Sequence, residues 1–501
     1  MDNRILAFRL QNFMGYLDTD WIDLRPINLL FGRNSSGKSA IIRALLLLKQ
    51  SLNIPPSYDS ALVIDMEDGI DMGNFRNWVH RHDTNLNVSF GFKYATQLLD
   101  PVINNPAAAY VVELGFGVLP TNPQAIILKQ ASIAYEWVAE GSNPHQESEI
   151  FAATFEHGVW NKSANDDWLD QISPTETVNP AEDSWQYVEP RSYLSFFPEL
   201  YLPNSISKNT GSKKGEDING LLKIFHEATK RFLNMLIYLE PIREEPKRYY
   251  EVTKLTKPKL NKHGQYIIQS YLLAQKIQPK RLEKVNRWLQ IFGFNCRLEI
   301  TKINEEGTLY TISIIELREK HSLTVNWRDV GFGLSQSLPI IFLSVLAEPG
   351  SFIIIEQPEL HLHTSAQAAL ADLFIECTNI NQCAFLLETH SEHLLIRLRQ
   401  RIVETSLDTV VKNANPDNLP APNYNQGFDF SSKRLNVVFV TREESQSQLE
   451  MIPIRQDGSF DNPSESFLNF FGQDYEDTMK LMDAAGNLAQ WEAKNGSNGR
   501  I

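Results

Sequence analysis

Apolar and polar positions first alternate along this chain and then run together. Ile5, Ala7 and Arg9 lead to Phe13 in an alternating opening segment, the period of a half-buried strand. Ile27 to Phe31 is a short unbroken apolar run, which predicts a strand covered on both faces. Gly32 and the serines after it interrupt the run. Ala40 to Leu52 then has helix-forming composition with almost no charge, which predicts a helix covered on most of its surface. Residues 60 to 140 read as sheet: VSFGFKY and AAAYVVELGFG as strands, QAIILKQASIAYEWVAE as two more. From about 145 to 235 the pattern weakens into aromatics mixed with Asn, Asp and Pro. Loops and irregular structure are expected there, then a helix from about Gly220 to Ile237. Residues 267 to 291 read as helices, and FNCRLEITKI with LYTISIIEL as a strand pair turning around Asn304–Gly307. The segment HSLTVNWRDVGFGLSQSLPIIFLSVLAEPGSFIIIEQPEL then brings strand, glycine turn, helix and strand. Residues 407 to 433, rich in Asn, Pro and Ser, read as an exposed loop. Such strands imply a covered, mostly parallel sheet, and no long heptad array announces a coiled-coil arm.

Composition narrows the class. At 501 residues the prior is two to four domains, and 42% hydrophobic residues supply a core, which excludes a disordered or collagen-like chain. Cys296, Cys377 and Cys383 are too few for a disulfide framework and read as free thiols in a reducing compartment. The N-terminus has no apolar run of signal-peptide length, and no run reaches the roughly 18 residues of a spanning helix. A cytoplasmic chain without membrane contact is the expectation. The net charge of -14 argues against indiscriminate coating of DNA. It favours protein partners, or one localised basic patch.

The strongest chemical signal is the octet Gly32-Arg33-Asn34-Ser35-Ser36-Gly37-Lys38-Ser39, which fits GxxxxGK[ST] without mismatch between a strand and an apolar helix. Gly32 and Gly37 let the backbone wrap phosphates, and the helix behind adds its N-terminal field. Lys38 neutralises β- and γ-phosphate oxygens, and the Ser39 hydroxyl ligates Mg²⁺. Asn34 and Ser35 lie where side chains approach the γ-phosphate. ATP and Mg²⁺ are therefore the expected cofactors.

A second half-site lies 318 positions after Lys38, where an apolar strand ends in Glu356-Gln357-Pro358-Glu359. Glu356 at the strand tip suits Mg²⁺ and its bound water. Gln357 cannot act as a base by deprotonation. Glu359 can if the Pro358 turn returns it; otherwise Glu359 is structural and Gln357 only positions water. Gly333 and Ser335, in GFGLSQ at a helix start, form another anion-binding arrangement, suited to the nucleotide of a second subunit. His390, in FLLETHSEH, follows another apolar strand and suits a γ-phosphate sensor, whereas His393 reads as capping or packing. Glu359, His361, His363, His390 and His393 lack HExxH or CxxC spacing, which weighs against zinc.

Together these motifs resemble the ABC-type, SMC-like branch of P-loop ATPases that includes RecF and OLD proteins. They are most similar to bacterial AAA ATPases with a DUF3696 region. DMGNFRNWVHRHD resembles that group's early switch segment, YLEPIREEPKRYY its central arginine element, and DVGFGLSQSLPI its signature motif. IIIEQPELHLHTSAQAALADLFIE resembles the Walker B strand and D-loop, LLETHSEHLLIRLRQRI the switch-histidine segment, and SFLNFFGQDYEDTMKLM the family tail. The resemblance implies an α/β P-loop NTPase with a split head, a mixed sheet flanked by helices and an inserted helical or irregular lobe. The domain limits expected are 1–145 and 296–450 for the two parts of the head, 146–295 for the lobe, and 451–501 for a C-terminal extension. It implies Glu356 as Walker B acid, Ser335 as signature serine acting in trans and His390 as switch histidine. The group's usual catalytic glutamate is replaced by Gln357, so turnover is expected to be slow. By the same resemblance the chain is a dimeric or higher homo-oligomeric ATP switch, joined through its heads. It would be the sensor or scaffold of an anti-phage complex with a separate nuclease or toxin as effector. One alternative is a RecF-like DNA-maintenance ATPase using a basic groove of Arg397, Arg399 and Arg401 with Lys247, Lys254, Lys257 and Lys259. Another is a metal-dependent nuclease.

Overall fold

The computed structural model describes residues 5–52, 60–65, 69–96, 108–119, 122–137, 146–156, 159–164, 213–243, 245–252, 265–277, 279–317, 323–413 and 428–471. Its centre is a six-stranded sheet in the order β10 (Leu236–Leu239), β15 (Phe352–Glu356), β16 (Ala384–Glu388), β4 (Ile27–Gly32), β17 (Leu435–Glu443), β18 (Gln446–Met451). All neighbours run parallel except the hairpin of β17 and β18. The unbroken apolar runs have the expected cause, since both faces of this sheet are covered. Ile27, Leu29 and Phe31 point into one core with Ile353, Ile355, Phe385 and Leu387, whereas Leu30, Ile354 and Leu386 point into the other. Each such side chain contributes about 1.5–3 kcal/mol by leaving water.

The second face is covered by helix α1 (Lys38–Ser51) and by an antiparallel eight-stranded sheet. That sheet runs β2 (Tyr16–Asp18), β1 (Ile5–Phe13), β5 (Val88–Ala95), β6 (Ala108–Leu119), β7 (Asn122–Trp137), β8 (Gln146–Glu156), β9 (Val159–Ala164), with β3 (Ile22–Asp23) also on β1. Two expectations change here. The described part of QAIILKQASIAYEWVAE, up to Trp137, is one long strand rather than two, and the sheet continues through β8 and β9 where irregular structure was expected. The limit drawn at residue 145 therefore falls inside this sheet. Cross-strand pairing holds β8 and β9 in a sheet despite their polar composition. The remaining stretch 165–212 lies outside the described residues.

Helix α3 (Lys213–Asn234) also packs into the core of the second face through Phe225, Ala228 and Leu233; it begins seven residues before the expected start and gives way to β10 at Leu236. The first face is covered by other helices. Helices α4 (Gln265–Ile277) and α5 (Pro279–Ile291) pack with a small antiparallel sheet of β11 (Tyr250–Glu251), β12 (Cys296–Lys302), β13 (Leu309–Glu316) and β14 (Leu323–Asn326). Val285, Trp288 and Leu298 share one core with Leu338 of helix α6 (Phe332–Leu346), so the lobe and head join across residue 295 without a break. Helices α7 (Thr364–Ile380) and α8 (Glu392–Asn413) complete this layer. Residues 407–413 belong to α8, not to a loop, and 414–427 lie outside the described residues. A four-residue helix, α2 (Phe75–Trp78), and α9 (Glu465–Phe470) cap opposite flanks.

Candidate nucleotide site

The octet joins β4 to α1 as a tight loop. Gly32 has φ 147° and Gly37 φ 119°, both in the range that excludes ordinary side chains. A Cβ on Gly37 would lie 2.5 Å from Ser447 Oγ, so the β17–β18 hairpin also presses on this point. Ser447 Oγ donates to the Ser36 carbonyl at 2.7 Å, and the buried Tyr16 hydroxyl donates to the Gly37 carbonyl at 3.1 Å. These contacts fix the loop from both neighbouring sheets. Arg33, Asn34 and Ser35 are exposed at its tip, whereas the Ser36 hydroxyl is buried without a protein partner. Lys38 is 3% exposed, and its Nζ donates to the carbonyls of Gly32 (2.8 Å) and Arg33 (2.9 Å). Burial lowers the Lys38 pKa, and the charge of Glu388 opposes that shift.

Glu388 is the residue that reading the sequence missed. It ends β16, which lies between β4, the strand that leads into the loop of Lys38, and β15, the strand that ends in Glu356. Its Oε2 accepts from Ser39 Oγ at 3.1 Å, and its Oε1 lies 3.6 Å from Lys38 Nζ. The available signal was parallel to that of Glu356: an acid closing an apolar strand, at FLLE as at FIIIE. Glu356 is the in-register neighbour of Glu388 and accepts from the Tyr238 hydroxyl at 2.6 Å. Burial raises the Glu356 pKa, the Tyr238 bond opposes this, and the charge of Glu388 adds to it.

These groups open on a cleft of about 830 Å³, ample for a nucleoside triphosphate. Lys38, Ser39, Glu356, Gln357 and Glu388 line it, with Asn34 and Ser35 on the loop side. The only carboxylates among its lining residues are Glu356 and Glu388. Glu359 is not brought to the cleft. It is 9% exposed, and its oxygens accept from Thr389 Oγ1 at 2.8 Å and the His390 amide at 2.7 Å. The turn after Pro358 thus directs Glu359 into the loop beyond β16, where it holds the backbone of His390. The place considered for it as a base is not the place it occupies. His390 keeps a buried Nε2 without a protein partner, and burial together with the Lys38 charge lowers its pKa. Arg243 is 6% exposed and directs Nη2 at the carbonyls of Glu356 and Gln357, both at 3.4 Å.

Gly333 and Ser335 lie outside the cleft, at the start of α6. The Ser335 hydroxyl is buried and donates to the Phe332 carbonyl at 2.9 Å, while Gly331 and Phe332 are exposed. The segment Asn77–His82 does reach the cleft. The arginine run proposed as a basic groove does not form one. Arg401 and Arg397 both pair with Asp372, at 2.7 and 2.8 Å, and Arg399 donates to the Gly458 carbonyl and covers the Phe460 ring. Arg397 and Arg401 share the helix face turned to Asp372, and Arg399, on the opposite side, is buried against Gly458 and Phe460, so carboxylate and carbonyl groups engage all three. Lys254, Lys257 and Lys259 lie outside the described residues. The three cysteines are buried and free. Among the described residues no helix is long and apolar enough to cross a membrane.

A phosphate loop between a parallel strand and a buried helix, facing acids on the two neighbouring strand tips, defines a P-loop NTPase of the α/β class. The chain belongs to the AAA ATPase domain family, whose model matches residues 4–395. Among curated proteins none matches it. Its distant structural neighbours include an SMC head bound to the C-winged helix domain of ScpA, at 11% identity and TM-score 0.40, over 90% of this chain and 98% of that one. The SMC head domain of Thermotoga maritima aligns at 11% identity and TM-score 0.32, over 90% and 99%. An SMC head with an extended coiled coil, bound to the C-terminal domain of ScpA from Pyrococcus furiosus, aligns at 11% and 0.40, over 90% and 96%.

Proposed function

We propose that this chain binds Mg-ATP in the cleft, hydrolyses it slowly and works as a dimeric switch. The observation that carries the reading is the contact of Ser39 with Glu388 at the mouth of the octet, beside Glu356. The donor set fits Mg²⁺: a hydroxyl and two carboxylates are hard oxygen ligands, and Mg²⁺ is normally completed by water and substrate phosphates. Among the described residues no cluster of three or more His, Cys, Asp or Glu stands ready to hold a metal alone, which suits an ion that arrives with the nucleotide. When bound, Mg²⁺ would neutralise charge on the β- and γ-phosphates.

The protein's own groups divide the remaining work. The loop amides and Lys38 bind phosphate, Ser39, Glu356 and Glu388 hold the metal side, and Gln357 orients water without taking its proton. With Glu359 turned away, Glu356 and Glu388 are the only carboxylates lining the cleft among the described residues, which supports the reading of slow turnover. The exposed start of α6, with Gly333 and Ser335 behind it, is free to meet a second subunit's nucleotide. A separate effector fits the family resemblance, and the neutralised arginines remove the main support for a RecF-like DNA groove.

The experiment is Lys38→Ala. Tight Mg-ATP binding should be abolished, and ATP-dependent dimerisation in sedimentation should vanish with it. Unchanged ATP affinity refutes the assignment.

A further inference from the structure

We infer that Arg81 and His82 form the platform for the nucleobase and ribose of the bound nucleotide. This rests on the proposed ATP site and extends it to the part of the ligand beyond the phosphates. The cleft lining is uneven in charge. Glu356 and Glu388 supply its carboxylates, beside the octet. Met14, Gly15, Asn77 and Val79–His82 form a wall of the same cleft and add no carboxylate. With phosphates held on the octet, that wall is the one assigned to the nucleoside.

The wall is built for a fixed task. Arg81 has φ 53° and His82 φ 57°, two consecutive bulky residues in the left-handed region. Each costs of order 1–3 kcal/mol and persists only where its surroundings enforce it. Those surroundings are visible. The Met14 amide donates to the Trp78 carbonyl at 2.6 Å, and Val79 bridges Phe13. His80 Nδ1 contacts the Met14 carbonyl at 3.1 Å, and Trp78 packs on Phe75 and Phe13 in the core. The His82 amide returns to the Val79 carbonyl at 3.1 Å, and its Nδ1 contacts the Arg76 carbonyl at 2.7 Å. The ring is thereby held with Nε2 left over. Arg81 is exposed and takes part in no ion pair among the described residues. An imidazole held by its Nδ1 contact and a guanidinium on a fixed backbone, both lining the cleft, offer stacking faces for a heteroaromatic base.

The test separates base from phosphate. Affinities of the full chain for ATP and for inorganic tripolyphosphate, both with Mg²⁺, are measured in wild type, Arg81→Asn, His82→Asn and Lys38→Ala. Asparagine tolerates the left-handed backbone, so the platform's shape survives. Arg81→Asn and His82→Asn should each weaken ATP by about 5- to 30-fold and leave tripolyphosphate within about twofold. Lys38→Ala should weaken both ligands. The inference is overturned if Arg81→Asn and His82→Asn weaken both ligands equally, or neither, while Lys38→Ala behaves as expected. If Lys38→Ala leaves ATP untouched, the ATP site itself is wrong, a distinguishable result.

Discussion

Removing Asp372 should unlock the helical layer behind the nucleotide sheet. Asp372 is 6% exposed on α7, and both its oxygens are taken by Arg401 Nε (2.7 Å) and Nη2 (2.9 Å), with Arg397 Nη2 at 2.8 Å. The Arg401 side chain is 2% exposed, so Asp372→Ala strands a buried cation. Breaking one partner of such a pair costs about 3–5 kcal/mol. Arg401 retains Glu404 at 2.6 Å, which places the cost near the lower end, about 3 kcal/mol. That is roughly a 150-fold rise in local opening. Hydrogen exchange of the amides in Thr364–Ile380 reads it directly. Arg397→Ala should cost far less, about 1 kcal/mol or under, because its side chain is 26% exposed and water replaces the lost contact. A change under about fivefold for Asp372→Ala would refute the structural role. So would an Arg401→Ala chain that keeps full stability but loses affinity for duplex DNA, which would return these arginines to a DNA-facing patch.

Gly37→Ala should reduce ATP affinity more than tenfold by calorimetry, because its φ of 119° and the 2.5 Å approach of Ser447 Oγ both forbid a Cβ. Adding Ser447→Gly relieves the clash but not the backbone, so recovery should be partial; full recovery would show the backbone is not strained. Gln357→Glu should raise single-turnover hydrolysis about tenfold or more by adding a carboxylate to the cleft, and an unchanged rate would show that proton transfer is not limiting. Lys49 lies in the last turn of α1 with Nζ donating to the Leu236 carbonyl at the start of β10, and burial pulls its pKa from 10.5 to about 8. The unfolded chain then binds more protons between those values, so this residue makes stability rise with pH from about 8 to 10.5. Lys49→Met should be more stable than wild type at pH 7, and the gap should close across that window. A gap independent of pH would contradict the shift.

Much of this was legible because local patterns and tertiary demands agreed. The apolar runs at Ile27–Phe31, Phe352–Ile355 and Phe385–Leu387 are strands because the fold covers both of their faces. The octet was legible because phosphate binding dictates residue types at fixed spacing. Three things were not. β8 and β9 have weak strand composition and form because β8 pairs with β7 and β9 with β8, partners that local pattern does not reveal. Glu388 acquires its role from lying beside Ser39, 349 positions earlier, so only the strand order could expose it. For Glu359 the structural of the two roles left open is the one its contacts support, and the alternative of a groove at the α8 arginines is not supported, for a common reason: buried carbonyl, amide, hydroxyl and carboxylate partners engage these charges, and local pattern does not reveal them.

The strand order also constrains how the molecule can be made. β4 emerges from the ribosome early, yet both of its neighbours are late: β16 begins at Ala384 and β17 at Leu435. Until then an apolar segment, Ile27 to Phe31, has two unpaired edges, the kind of surface that recruits other chains. Synthesis halted before residue 435 leaves one edge open and removes Ser447 from the phosphate loop. Truncated products should therefore aggregate rather than persist as half-active fragments, and assembly of the nucleotide pocket becomes a checkpoint that only a nearly finished polypeptide can pass.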